Sequence, residues 1–373
     1  MEKYRIIKSL IFLWVLLFLP IQLFTQNTRF TAAGASSRVF SLEQTLNTLY
    51  SLDNRGEKEF RWDPFLQEGL FNIGGHYGIF STSLQAGRNG FLMINNREIF
   101  SVPLPYIERG ELVFPEPFVT TTHDAFARSI SEDTSNLRIA AIIIDPGHGG
   151  RDSGAVREHT INGRRQTVAE KDIALNASLM LRDMLVRAYP DKRIVMTRER
   201  DTYMSLEERT AIANAVPIRR NEAIIYISIH ANAVNYTSAR GYEVWYLSPE
   251  QRRTLLDESH FPDSPELRQI MNTITEEAFT IESMKIAQSI LDSLKSTMGN
   301  ALPSRGIKAE NYFVVRRSHM PAVLVELGFV SNREDAILMT SNVHLRRMVE
   351  AVYKGIADFV SDFEQSGGFI TQR

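Results

Sequence analysis

Ala140-Ala141-Ile142-Ile143-Ile144-Asp145-Pro146-Gly147-His148-Gly149-Gly150 sets the fold class. Five apolar residues in a row, stopped by a Pro/Gly cluster, read as a strand covered on both faces, with a histidine just past its end. Ile224-Ile225-Tyr226-Ile227-Ser228-Ile229 repeats the pattern and ends in His230-Ala231-Asn232, and Ala322-Val323-Leu324-Val325 delivers Glu326 in the same way. Helix-period stretches separate these runs. That alternation predicts an α/β unit over residues 137–365: a mostly parallel sheet with helices on both faces.

Working outward, Glu170 to Arg187 places Ile173, Ala177, Met180, Leu181, Met184 and Leu185 on one helical face, and Arg193 to Thr197 is the next strand. Ser205-Leu206-Glu207-Glu208 has capping-box spacing and opens a helix to about Ala215. Tyr242 to Leu247 reads as a strand, and Ile281 to Leu294 as a helix with Ala287, Ile290, Leu291 and Leu294 inward. A long helix after Glu326 buries Leu345, Met348, Val349, Val352, Ile356, Phe359 and Val360. Residues 248–280 form a polar insertion with a helical piece at Pro265 to Met271, of a length that is usually functional or disordered.

Ahead of this unit, residues 28–126 are expected to fold as a small α+β accessory domain. It has a helical start at Ser41 to Tyr50 and strand-like pieces at Gly78 to Ser83 and Gly90 to Ile94. Residues 127–136 are polar and aperiodic and read as a linker, and residues 366–373 as a tail. His76 and His123 have no second ligand at metal spacing and are read as ordinary histidines. Residues 1–25 read as an export signal, with Lys3, Arg5 and Lys8 before the apolar Leu10 to Leu19. Cleavage would start the mature chain near Thr25 to Thr31. An uncleaved anchor is the alternative, because Leu23-Phe24-Thr25 is a poor small-residue site. Either way the domains are expected outside the cytoplasm, in the periplasm or cell envelope, with membrane attachment only if the signal stays.

The 373 residues carry 42 basic and 44 acidic side chains, a balance with no global field to gather nucleic acid. With no cysteine there are no disulfides and no thiolate ligands, so a metal site must use histidine and carboxylate. A catalytic zinc commonly takes three protein ligands and leaves a position for water, a count that His148, Glu170 and His230 supply. Glu170 alone is equally a helix N-terminal carboxylate favoured by the macrodipole. Glu326, on a buried strand end, is the candidate proton carrier. Gly147, Gly149, Gly150 and Gly154 allow a tight turn beside the site, a weak signal because phosphate loops are also glycine-rich.

Six motifs occur in order: Asp145-Pro146-Gly147-His148-Gly149-Gly150 with Asp152-Ser153-Gly154-Ala155; Glu170-Lys171-Asp172; Thr197-Arg198; Ser205 to Arg209 with Ala213-Asn214; Ser228-Ile229-His230-Ala231-Asn232; and Val325 to Phe329 with Ser331-Asn332. Together they resemble the zinc-dependent N-acetylmuramoyl-L-alanine amidases of the cell-division type, over about Ile139 to Phe363. The resemblance implies one zinc per chain, held by His148, Glu170 and His230, with Glu326 as the catalytic glutamate. It implies hydrolysis of the amide between N-acetylmuramic acid and the L-alanine of the stem peptide, in wall turnover or daughter-cell separation. Arg198, Arg209, Asn214 and Asn232 become framework or substrate-groove residues, with a salt bridge expected for Arg209.

Arg157 to Gln166 departs from the family pattern as a basic loop between the first ligand and Glu170, and His159 within it is not read as a ligand. The 248–280 insertion resembles a segment that in some family members covers the zinc until a protein activator displaces it. That would give Glu276 or Glu277 an autoinhibitory place on the metal. Separately, Phe60 to Pro64, Asn95 to Glu98, Pro103 to Tyr106 and Glu108 to Pro115 resemble the small stalk domain first known from copper amine oxidases, which implies attachment or positioning and not copper chemistry. Two other functions share the site's residues: a zinc peptidase or deacetylase on another wall amide, and a non-catalytic wall-binding regulator on an amidase fold. The filled chemical positions weigh against the second.

Overall fold

The computed structural model describes residues 38–365 other than 54, 55, 85, 96, 97, 132–136, 220, 221, 252 and 257–264. The export signal and the tail lie outside the described residues. No helix among those described is long and apolar enough to cross a membrane.

The first region opens with β1 (Val39–Ser41) and α1 (Leu42–Tyr50), where Ser41 and Gln44 form a reciprocal capping box. An antiparallel meander follows through β2 (Lys58–Asp63), β3 (Glu68–Ile73), β4 (His76–Ser81), β5 (Asn89–Ile94) and β6 (Glu98–Pro103). Strands β7 (Tyr106–Glu108) and β8 (Glu111–Pro115) join β1 in a small second sheet, and α2 (Glu116–Ser131) closes the region. Phe71, Phe80, Phe114 and Phe118 fill its core, with neighbouring rings 4.9 to 6.2 Å apart. The expected linker is corrected here, because residues 127–131 continue α2. Ser129 is buried and Arg128 bonds Glu98 on β6, so the helix is held past the point where its sequence turns polar. Residues 132–136 are not described.

The second region contains β9 (Arg138–Pro146), β10 (Val156–Ile161), β11 (Arg164–Ala169), α3 (Glu170–Ala188), β12 (Arg193–Met196), α4 (Leu206–Asn214), β13 (Glu222–Asn232) and β14 (Tyr242–Leu247). It continues with α5 (Pro265–Met298), β15 (Ser304–Glu310), α6 (Phe313–Arg317), β16 (Ala322–Phe329), α7 (Arg333–Thr340) and α8 (Asn342–Gln365). Six strands form one sheet in the order β12-β9-β13-β16-β14-β15. Neighbours run parallel except β14 against β16, as a mostly parallel sheet requires.

Alternate residues of the apolar runs go to opposite faces, and each face has a cover. Ile142, Ile144, Ile225, Ile227, Val323 and Val325 pack with α3, α5 and α8. Ile143, Ile224, Tyr226, Ala322 and Leu324 pack on the other side with Ala213 of α4 and Val314 and Val315 of α6. Burial on both faces is why β9 is apolar without alternation. Each fully buried isoleucine is worth about 1.5–3 kcal/mol of transfer free energy.

Two further expectations are corrected. Arg157 to Gln166 is a regular hairpin, β10 paired with β11, and its two-residue turn Asn162-Gly163 has φ of 50° and 74°. An Asn-Gly pair favours that positive-φ turn. The 248–280 insertion does not carry a separate short helix, since α5 runs unbroken over 34 residues. Its first half is tied down at Glu276, which Arg253 holds with Nε 2.8 Å from both carboxylate oxygens, while Arg253 also donates to Ser318 O and Met320 O.

Candidate active site

The carboxyl ends of three adjacent parallel strands supply the site, the position where open α/β sheets place their chemistry. β9 ends at Pro146 and turns into His148. His230 lies near the end of β13, level with Glu326 of β16. Glu170 is the first residue of α3, and its backbone N–H bonds Ala155 O at 2.8 Å, which brings the helix start against the histidine loop.

The ligand atoms of His148, Glu170 and His230 lie within 4.8 Å of one another. His148 Nε2 is 3.2 Å and His230 Nδ1 2.8 Å from the same oxygen, Glu170 Oε1. The two rings stand nearly perpendicular, 5.1 Å apart. On its far side His148 Nδ1 meets Asp152 Oδ2 at 2.9 Å, the outer carboxylate that orients many metal-binding histidines. A neutral His148 that donates there turns a lone pair at Nε2 toward a carboxylate oxygen. Acceptor facing acceptor is relieved by a shared cation or an added proton, so the donor set fits a nitrogen- and oxygen-ligated metal.

Close approach needs glycine. A Cβ on Gly147 would lie 2.3 Å from the His230 ring, and one on Gly154 2.6 Å from Glu170 Oε2. His148 itself has φ 58°, a left-handed conformation that costs about 1–3 kcal/mol in a non-glycine residue and persists where surroundings over-determine it.

Those surroundings are the framework arginines. Arg209, buried on capped α4, donates to Asp145 Oδ1 at 2.7 Å, to Pro146 O and to His148 O. Arg198 donates to Pro146 O, Gly147 O and Lys171 O. Asn214 binds Arg317 O and His319 N beside the lead-in to β16. Asn232 donates to Glu243 Oε1 at 2.7 Å.

Charge is unevenly spread. Burial opposes ionisation of Glu170, but hydrogen bonds from His148 and His230 outweigh it and hold the carboxyl well below the usual range. Burial likewise opposes charging of His148, and Glu170 and Asp152 overcome it and push its pKa up. Glu326 moves the other way: burial first, then the negative charges of Glu170 and Glu243, raise it well above the usual carboxyl range against a smaller pull from Lys308. Its Oε2 has no hydrogen-bond partner among the described residues.

Glu326, the three clustered residues, Asn232, Tyr203 and Tyr312 line one cavity of about 420 Å³. Neither Glu276 nor Glu277 lines it. Glu276 is committed to Arg253 and Glu277 is exposed, which corrects the expected autoinhibitory placement. His159 Nε2 donates to Val330 O at 2.8 Å; His76 pairs with Asn95, and His123 with Asp124. No local pattern assigned a role to Asp152, Asp145, Glu243 or Tyr312. Asp152, four residues from His148 in a glycine loop, was the most detectable, whereas Glu243 and Tyr312 reach the site only through sheet order.

The family model described as N-acetylmuramoyl-L-alanine amidase matches residues 142–358, more than half of the chain. The chain belongs to this family. The amidase is 31% identical over 218 residues to the uncharacterised protein YqiI of Bacillus subtilis, covering 58% of this chain and 84% of YqiI. It is 28% identical over 233 residues to the probable cell wall amidase LytH of Staphylococcus aureus, covering 62% of each. A solved N-acetylmuramoyl-L-alanine amidase from Clostridium difficile 630 aligns with 60% of the amidase and 98% of its own chain, at 26% identity and a TM-score of 0.45. The amidase is accordingly a hydrolase of peptidoglycan, cutting the amide between N-acetylmuramic acid and L-alanine in cell-wall turnover.

Proposed function

We propose that His148, Glu170 and His230 hold one zinc ion and that Glu326 is the proton carrier for cleavage of the muramoyl–alanine amide, in the periplasm or cell envelope. One observation carries the reading: three ligand atoms converge within 4.8 Å beside a buried carboxylate whose Oε2 is unpartnered. When bound, zinc supplies Lewis acidity that lowers the pKa of water from about 15.7 to about 7 and polarises a carbonyl.

The chain's own residues do the rest. Asp152 fixes the His148 ring through Nδ1. Glu326, whose Oε2 is unpartnered among the described residues, takes a proton from the attacking water and returns it to the alanine nitrogen as the C–N bond breaks. Arg198 and Arg209 keep the Pro146 to His148 backbone in its strained shape. Residues 38–131 are proposed as an accessory module that positions this unit, with daughter-cell separation as one setting for its action.

Mass spectrometry of purified wall digested with wild type and with Glu326→Ala tests bond and residue together. The expected result is free stem peptide beginning at L-alanine, with the variant slower by about 10²–10⁴. Released acetate or shortened stems would instead favour the deacetylase or peptidase reading.

A further inference from the structure

The cavity is rich in acceptors and short of donors for a reacting carbonyl. Asp145, Asp152, Glu170 and Glu326 are carboxylates. Arg209 turns N–H groups to Asp145 and to backbone carbonyls, and Asn232 Nδ2 gives one of its two N–H groups to Glu243. Ser205 Oγ accepts from Glu208 N in the α4 cap and keeps its own proton, at the cap and not over the clustered carboxylates' strand ends. Two tyrosine hydroxyls also line the cavity. Tyr203 is exposed at the rim under the Arg151 guanidinium, 4.0 Å from its ring.

Tyr312 is half-buried and held at both ends. Its carbonyl accepts from Arg316 N in the first turn of α6, and its ring stands edge-on to Trp245, 5.4 Å away at 86°. Its hydroxyl makes no hydrogen bond to a described residue, and it lines the cavity with Glu326, His148 and His230. We propose that the Tyr312 hydroxyl donates a hydrogen bond to the oxygen of the scissile carbonyl as that oxygen gains negative charge. The inference rests on the amidase mechanism above.

In the step it serves, the oxygen of water bonds to the carbonyl carbon and the C=O π pair moves to oxygen. The water proton goes to Glu326. On collapse the C=O bond reforms, the C–N bond breaks, and Glu326 returns the proton to nitrogen. Tyr312 keeps its proton throughout. Burial, followed by the nearby charges of Glu326, Glu243, Glu310 and Glu170, pushes the phenol up to about 12, so it remains a donor. A donor of this kind, fixed before reaction, acts where charge develops and not in the ground state.

Tyr312→Phe removes only the hydroxyl and keeps the ring on Trp245. On a defined muramyl peptide its kcat is expected to fall by about 10²–10³, with KM within about threefold of wild type. Zinc content and melting temperature are expected to match wild type. A tetrahedral phosphinate analogue of the amide should lose about the same 10²–10³ factor in affinity. An active wild type beside a Tyr312→Phe variant with kcat within about threefold overturns this inference alone. A wild type that leaves the muramoyl–alanine bond intact overturns the mechanism beneath it as well.

Discussion

Replacing Arg209 by methionine keeps most of the side-chain volume and removes the one cation bonded to Asp145 among the described residues. Both partners are almost fully buried, at 2% and 1% side-chain exposure. Breaking a buried ion pair by removing one partner costs about 3–5 kcal/mol, because the other charge is left without compensation. At about 2–4 °C per kcal/mol for a unit of this size, the melting temperature should fall by roughly 6–20 °C at pH 7.

The pH dependence gives the sharper test. In the wild type burial opposes the Asp145 charge, but Arg209, with hydrogen bonds from Thr197 and Ser228, holds the carboxyl below its ordinary value. A lowered folded pKa contributes stability above the unfolded value of about 3.9, and that contribution is lost as pH falls through the folded pKa. Without Arg209 burial dominates, and Asp145 should titrate above about 3.9 in the fold, so the folded variant binds the proton more readily than its unfolded chain. The deficit relative to wild type should therefore be largest near pH 7 and narrow toward about pH 4. Asp145→Asn combined with Arg209→Met should recover part of the loss and flatten its pH dependence. Urea unfolding of the three proteins from pH 4 to 7 measures this. A deficit under about 1 kcal/mol at pH 7, or one that widens in acid, would refute the reasoning.

Three other outcomes follow from the site and from α5. His230→Ala should leave a folded chain that binds less than the one zinc expected for the wild type, measured by elemental analysis after dialysis; full zinc retention would exclude the residue as a ligand. Glu276→Ala leaves Arg253 buried without its carboxylate and should cost about 3–5 kcal/mol with no rise in basal hydrolysis. A more active variant would restore the lid idea, and Glu277→Ala, on the exposed face, should change stability by no more than about 0.5 kcal/mol.

The sheet and the proposed ligands were legible because both are local in sequence. Ile142-Ile143-Ile144 and Ile224 to Ile229 read as strands covered on both faces, and the residue that follows such a strand in a parallel sheet arrives at the carboxyl edge. The Ser205/Glu208 cap needed four residues to be read, and both of its bonds form. Asn162-Gly163 was equally local and marked a hairpin, although the charged residues around it suggested a loop.

Other features depend on contacts between residues far apart in the chain. Glu276 sits at a polar point of its sequence, yet a guanidinium 23 positions away buries it, so composition alone suggested a free acidic helix where there is an ion pair. Tyr312 and Glu243 approach Glu326 because β14 lies antiparallel beside β16 and α6 packs on the same sheet face, an order that no spacing along the chain encodes. Periodicity reports which face of an element is buried and which residues stand at its end. Which charge meets which, and which hydroxyl is left without a partner, follows only once packing has set the distances over which hydrogen bonds and Coulomb forces act.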